Sequence, residues 1–418
     1  MTHMFPVLVG IYICSMIHFH PFQGFRPARD KVHLVASRSY VTYNKKQLQE
    51  KLDTNPYSFL HIIHPPAAAK LKGAKRYAEV GKAFMSFYNQ GIFIREDQDA
   101  FYLYEQIIDG KSYRGWIGVA STKDYRVGKI KVHENTLTER EEMFREYLEV
   151  TGFNAEPVLL AHKDDVYLSD LANNIARERP EYEFTSTDRI THKVWVISGG
   201  SNLQYISGIL ANHKHLYIAD GHHRMASSAL LGRGKPENDP TVGCMALILP
   251  YSQLTSKAFY RLTKIPSVEN IADFTRLLKS HKLQYTAIEH PEIFEPKDGV
   301  MAFDTAGNAV HITWPSDEGD LLQKLPTSQL FQHILRPIAK IENDRNDKRL
   351  AYEPATHSVQ NICKIMQKKK YQIGFLPPVI SFETVMKIAD AGLTMPPKST
   401  FVEPKLRSGL VVYGLENQ

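Results

Sequence analysis

The chain has few cysteines: Cys14, Cys244 and Cys363 are the only three in 418 residues, and they lie far apart. An odd, scattered set excludes a disulfide framework and a cysteine-based zinc site, and it suits a reducing compartment. None stands beside an evident activating base, so all three read as small apolar residues. Charge of one sign is scarce as well. Lys and Arg number 51 against 45 Asp and Glu, a net charge of +6, and no basic block is longer than Lys368-Lys369-Lys370. Without a clustered basic face or a helix-turn-helix text, nucleic-acid binding is not expected, while pockets for small anions stay open. Glycine (24) and proline (23) are near the usual share and show no period, which excludes fibrous and low-complexity classes. No internal repeat is visible.

A long hydrophobic run is also missing. Phe5 to Ile17 is apolar throughout, but a bilayer takes about 20 residues. A secretory signal wants a basic start and a small-residue cleavage site, and neither is present. We therefore read residues 1–20 as a leader or an over-called start, with translation beginning at Met16 and the protein staying in the cytoplasm. No membrane association is expected, and the oligomeric state is not legible.

What is present is globular: 43% apolar and 23% charged residues. The length exceeds one ordinary core, so two or three lobes are expected. The pattern divides the chain into an N-terminal and central α/β lobe over 21–265, a small α+β unit over 266–325 and a C-terminal α/β segment over 326–418. Short strands are expected at VHLVA (32–36) and SFLHIIH (58–64), and a helix capped by Asn44 at KKQLQEKL. Aromatic and β-branched runs at 100–107, 114–120, 157–161, 191–197 and 244–249 read as strands, and 139–151 as a helix ending at Gly152. A hairpin turn is expected at 304–308. The class is mixed α/β (α+β) with at least one partly parallel sheet.

The sharpest local pattern is HKHLYIAD-GHHR-MASSALLG (213–232), a strand, a turn and a helix. The first helical turn exposes unpaired N–H groups and a partial positive charge. Two imidazoles and Arg224 placed there are unfavourable alone, by roughly 0.3–1 kcal/mol per charge, and a bound anion reverses that sign. Gly221 lets a phosphate approach the backbone, and Arg224 is placed to chelate it. Asp220, at the strand's carboxyl end, is a candidate to hold Mg²⁺ or orient a hydroxyl. The plain alternative is a solvated turn with Arg224 paired to Asp220.

Val132-His133-Glu134-Asn135-Thr136 precedes a helix. Leu137 breaks the H-E-x-x-H zinc signature, so a metalloprotease is excluded. His133 and Glu134 remain either a base with its partner or a plain helix-start pair. Met395-Pro396-Pro397-Lys398-Ser399-Thr400 and Lys405 offer anion-binding donors on a proline-fixed loop, or simply tie the C-terminus down. Asp344 to Arg349 alternates charge and reads as a solvated, self-paired loop.

Six motifs in order, PFQGFRP (21–27), NPYSFLHIIHP (55–65), VHENT (132–136), IADGHHRMASSAL (218–230), ILRPIAKIENDRNDKR (334–349) and MPPKSTFVEPKLRSGLVVY (395–413), resemble the bacterial domain of unknown function 1015 family over nearly the whole chain. Two stretches depart from it: Tyr260-Arg261, where His-Arg is common, and Ser37-Arg38-Ser39-Tyr40, where a proline-containing run is usual. Locally, the strand–GHHR–helix unit is similar to the phosphate-binding box of the ParB-like and sulfiredoxin superfamily, one branch of which looks like a free-serine kinase. The resemblance implies a core of that type within a multi-lobed chain. It also implies phosphate or nucleotide recognition by Gly221, His222, His223 and Arg224.

From these readings we expect a phosphoryl-transfer enzyme, kinase or phosphatase, acting on a small hydroxylated metabolite such as serine or phosphoserine. Asp220, Glu134 and His133 would be catalytic, and Lys398, Ser399, Thr400 and Lys405 would bind substrate. Mg²⁺, held by Asp220, and ATP or ADP are the expected cofactors. The alternative is a nucleotide-responsive, ParB-like regulatory protein without substantial turnover.

Overall fold

The computed structural model describes residues 16–315 and 319–416. The expected start at Met16 concerns residues 1–15, outside the described residues. No helix among the described residues is long and apolar enough to cross a membrane.

Two sheets organise the chain. The first has nine strands: β1 (Phe19–His20), β2 (Ala100–Ile108), β3 (Lys111–Ser121), β4 (Ile130–Lys131), β5 (Val158–His162), β6 (Tyr182–Thr185), β7 (Thr191–Ser198), β8 (Leu216–Asp220) and β9 (Gly243–Pro250). The order is β6-β7-β2-β3-β9-β5-β8-β4, with β1 also on β3. Pairs β8/β4 and β9/β5 are parallel and the rest antiparallel, so the mixed α/β class and the partly parallel sheet both hold. The sheet is covered on both faces, which is why its strands read as continuous apolar runs. Tyr102, Tyr104, Met245, Leu247 and Leu249 face one core, and Phe101, Leu103, Cys244, Ala246 and Ile248 the other, as a period of two requires. The thiol of Cys244, wholly buried, is pushed up to about 11 by that burial, in keeping with its reading as an apolar residue.

The second sheet corrects the expected division. The unit read over 266–325 is no separate lobe. Its three strands, β11 (Gln284–Ile288), β12 (Val300–Phe303) and β13 (Ala309–Thr313), join β10 (Phe259–Thr263), β14 (Leu350–Pro354) and β15 (Ile373–Leu376) in one antiparallel sheet, order β11-β13-β12-β15-β10-β14. The segment after 376 then returns to the first sheet: Phe382, Val385 and Met386, on the helix Phe382–Asp390, pack into the same core as Tyr102 and Leu247.

Two short expectations also fail. Val32–Val35 and Leu60–Ile63 are single helical turns, and they pack with Phe84 and Phe153 in one aromatic-rich cluster. The helix after Asn44 holds, with a full capping box between Asn44 and Gln47.

Two helices position the site. Helix α1 (Thr138–Thr151) ends at Gly152 in the left-handed conformation. Helix α2 (His222–Leu231) follows directly on β8.

Candidate functional site

Strands β4 and β8 run parallel, so their carboxyl ends emerge side by side. There α/β sheets gather ligand-binding groups. Beyond β4 come His133 and Glu134, while β8 ends at Asp220 and leads through Gly221 into α2. Although about ninety positions separate them in sequence, the structure brings them together. The rings of His133 and His222 meet edge to face with centroids 4.5 Å apart, and Glu134 Oε2 lies 3.7 Å from His222 Nδ1.

The start of α2 carries the main signal. Its N-cap is Gly221, at φ 97° in the left-handed region, and no side chain caps the helix. His222 is almost fully buried, yet its Nε2 has no hydrogen-bond partner among the described residues, and neither has His223 Nδ1. Burial holds both imidazoles below their ordinary value, and pushes His133 down to about 4. All three rings are therefore neutral near pH 7 and able both to donate and to accept. That removes the dipole conflict expected for cationic imidazoles at a helix start.

Arg224 departs from the expected free chelator. Its Nη1 donates to Glu156 Oε1, and its Nη2 donates to Asp220 Oδ2 at 3.1 Å. Glu156 is fixed in turn by Ser408 Oγ at 3.0 Å. Arg224 thus lies between two carboxylates, the pairing of the plain alternative extended to a second acid.

Asp220 is doubly paired, since Lys405 Nζ reaches its other oxygen at 3.1 Å. Burial pushes this carboxyl up, but Lys405 and Arg224 outweigh it and hold it below the usual range. With both oxygens on cations, Asp220 is a weak base and is not presented to a metal ion. No cluster of three His, Cys, Asp or Glu suited to a metal occurs among the described residues. Mg²⁺ on Asp220 would have to displace Lys405 or Arg224 from one of its oxygens, and no step is assigned to the ion. Glu134 differs: it is half-exposed, and burial, helped by Asp220, pushes its carboxyl up against the opposing fields of Lys398, Arg345 and Lys405. Of the two acids it is the better proton acceptor.

The proline loop crosses the carboxyl ends of β4 and β8 as a strap. Met395 N–H donates to the His133 carbonyl at 2.9 Å, and Lys398, at φ 53°, sits beyond it in the left-handed region. Lys405 returns to Asp220. Ser399, expected to bind substrate, is spent inside the strap: it is buried, its Oγ donates to the Pro396 carbonyl at 2.7 Å and it lies 3.2 Å from Thr327 Oγ1. Thr400 is half-buried. Sequence reasoning missed Glu156, marked Arg261 only as a departure from the family pattern and read Arg345 as part of a solvated loop, since all three come from other parts of the chain with no spacing to tie them to the α2 start. The 344–349 loop is self-paired as expected at Arg349–Asp347, but Arg345 also acts on Glu134.

Residues 19–328 match the family described as "Protein of unknown function (DUF1015)". The chain belongs to the DUF1015 family. No curated protein matches it. Among solved structures, a conserved hypothetical protein from Pyrococcus furiosus is 17% identical, with a TM-score of 0.33 over 66% of this chain and 87% of that one. A free serine kinase in complex with AMP is 17% identical, with a TM-score of 0.34 over 66% and 84%. SbnI with a C-terminal truncation, from Staphylococcus aureus, is 11% identical, with a TM-score of 0.35 over 69% and 82%. In this DUF1015 chain the matched segment takes in β4, β8 and the α2 start, whereas the strap at 395–405 lies beyond it.

Proposed function

We propose that this DUF1015 protein is a phosphoryl-transfer enzyme acting on a small hydroxylated metabolite, with serine the first acceptor to test and a nucleotide as donor. The observation that carries the reading is the uncapped start of α2, with left-handed Gly221 and the buried His222 Nε2, which has no hydrogen-bond partner among the described residues. Unpaired N–H groups there, under a partial positive charge, suit phosphoryl oxygens. Glu134, its carboxyl pushed up by burial, suits a general base. In the step proposed, the acceptor oxygen bonds to the terminal phosphorus of the nucleotide, and the bond from that phosphorus to its bridging oxygen breaks. The hydroxyl proton passes to Glu134, and the shortened nucleotide leaves. With water as acceptor and a phosphorylated metabolite as donor, the same groups support a phosphatase.

The test is a steady-state assay of phosphoserine formation from serine with ATP or ADP, with and without Mg²⁺. Glu134→Gln should lower kcat by roughly 10²–10⁴-fold while nucleotide affinity stays within about fivefold, since one neutral hydrogen bond is worth only about 1 kcal/mol. Tight nucleotide binding with no product from any hydroxylated acceptor would overturn the enzyme and leave the regulatory reading.

A further inference from the structure

The cations around the cleft fall into two sets. Arg224 and Lys405 are neutralised by Glu156 and Asp220. Arg261, Lys398 and Arg345 are not: among the described residues no carboxylate forms an ion pair with any of them. Arg261, on β10 of the second sheet, is 1% exposed. Its guanidinium donates only to the carbonyls of Phe259 at 3.2 Å and Lys398 at 3.4 Å, and lies 5.4 Å from the Tyr352 ring centroid. A buried cation with no carboxylate in contact is costly to keep, and the field of Asp344 offsets only part of that cost.

The acids whose fields reach this set are few. Glu134 feels Lys398 and Arg345, and Asp344 feels Arg261 and Arg345. In both, burial is the largest influence and pushes the carboxyl up, toward its neutral form. Lys398 also acts on His223, on the first turn of α2. Its carbonyl is bound by Arg261, which supports the left-handed turn that Lys398 occupies. Arg345 is exposed on the loop before β14 and follows Asp344, whose carbonyl accepts from Tyr352 Oη at 2.7 Å; the Tyr352 ring is the one Arg261 faces, so this loop lies against Arg261.

We propose that Lys398 and Arg345, with Arg261 buried behind them, form a wall that receives an oxyanion of the ligand, a phosphoryl group or a carboxylate. This rests on the α2 start being the ligand site. Lys398 and Arg345 touch the anion, whereas Arg261 is a positioning residue that adds a fixed charge and holds the Lys398 turn. The wall belongs to the second sheet and the strap, so the ligand bridges the two sheets of the fold.

Calorimetric titration of the full-length protein with ADP, inorganic phosphate and malonate tests this. Arg345→Ala should weaken binding of the bridging anion tenfold or more, as the loss of one charge-assisted bond requires. Arg261→Met should do the same, and Arg261→Lys, which keeps the charge, should restore most of the affinity. A loss confined to ADP and phosphate assigns a phosphoryl group to the wall, and a loss for malonate assigns a carboxylate. If Arg261→Met does not fold, the exposed Arg345 decides. Wild-type protein that binds ADP no more tightly than Arg345→Ala, with malonate equally unaffected, overturns the wall and leaves the α2 start standing. Wild-type protein that binds none of the three anions overturns both.

Discussion

Arg224 is the side chain whose role the structure changes most. As a lone cation in the first turn of a helix it would stabilise nothing, and its removal would be harmless. Bridging Glu156 and Asp220, it leaves two carboxylates short of a partner when deleted. Arg224→Ala should therefore cost about 1–3 kcal/mol and lower the melting temperature by several degrees, a change read directly by thermal denaturation. An unchanged melting temperature would return Arg224 to the ligand. Single residues also explain what could not be read in the sequence. His222, His223 and Asp220 are contiguous and announce themselves, whereas Glu156 meets Arg224 across 68 positions and Arg345 arrives from a loop whose charges appear self-sufficient. His133 supplies a pH test. Its folded imidazole is held at about 4 against an ordinary 6.5, so the unfolded chain binds the proton more readily between those values. Stability should be complete above pH 6.5 and fall as pH drops toward 4, by on the order of 3 kcal/mol for this group. Urea denaturation at pH 7.5 and 4.5 reads it by comparison with His133→Gln, which should reduce the difference by about that amount and leave the part owed to His162, His192 and His222, also held below the ordinary value by burial.

At the level of elements, the strand–turn–helix unit was legible because it is consecutive: an apolar run, a glycine, then helical spacing closed by Gly232. The misread pieces were apolar runs of five to seven residues, 32–36 and 58–64, where periodicity cannot separate a buried strand from a buried turn of helix. Packing against Phe84 and Phe153 decided both. The α2 start is the element that bears the functional reading, and it has its own test. An alanine at Gly221 would put its Cβ 2.9 Å from Arg224 Nε in a left-handed backbone. Arg224 is pinned by two acids and yields poorly, and the backbone term alone costs roughly 1–2 kcal/mol. Gly221→Ala should melt lower and bind ADP more weakly. A variant matching the wild type in both would remove the close approach from the account.

Across the whole molecule, a strap near the C-terminus touches both sheets, Arg261 on the second and Asp220 on the first. The extent of the second sheet was not legible in the sequence, because β10, β14 and β15 complete a sheet begun by strands between them in the chain, and pairing of that range carries no local signal. The strap explains why cleft residues lie as far apart as His133 and Lys405. It meets His133, Arg261, Thr327 and Asp220 in turn. The central claim is that phosphoryl oxygens dock on the backbone at the start of α2, and amide chemical shifts of isotope-labelled protein titrated with ADP test it most directly. The account predicts large, saturable downfield shifts of the His222 and His223 amide protons at ADP concentrations that also stabilise the fold. Saturable ADP binding that leaves those two amides unmoved, or no binding at all, would contradict it.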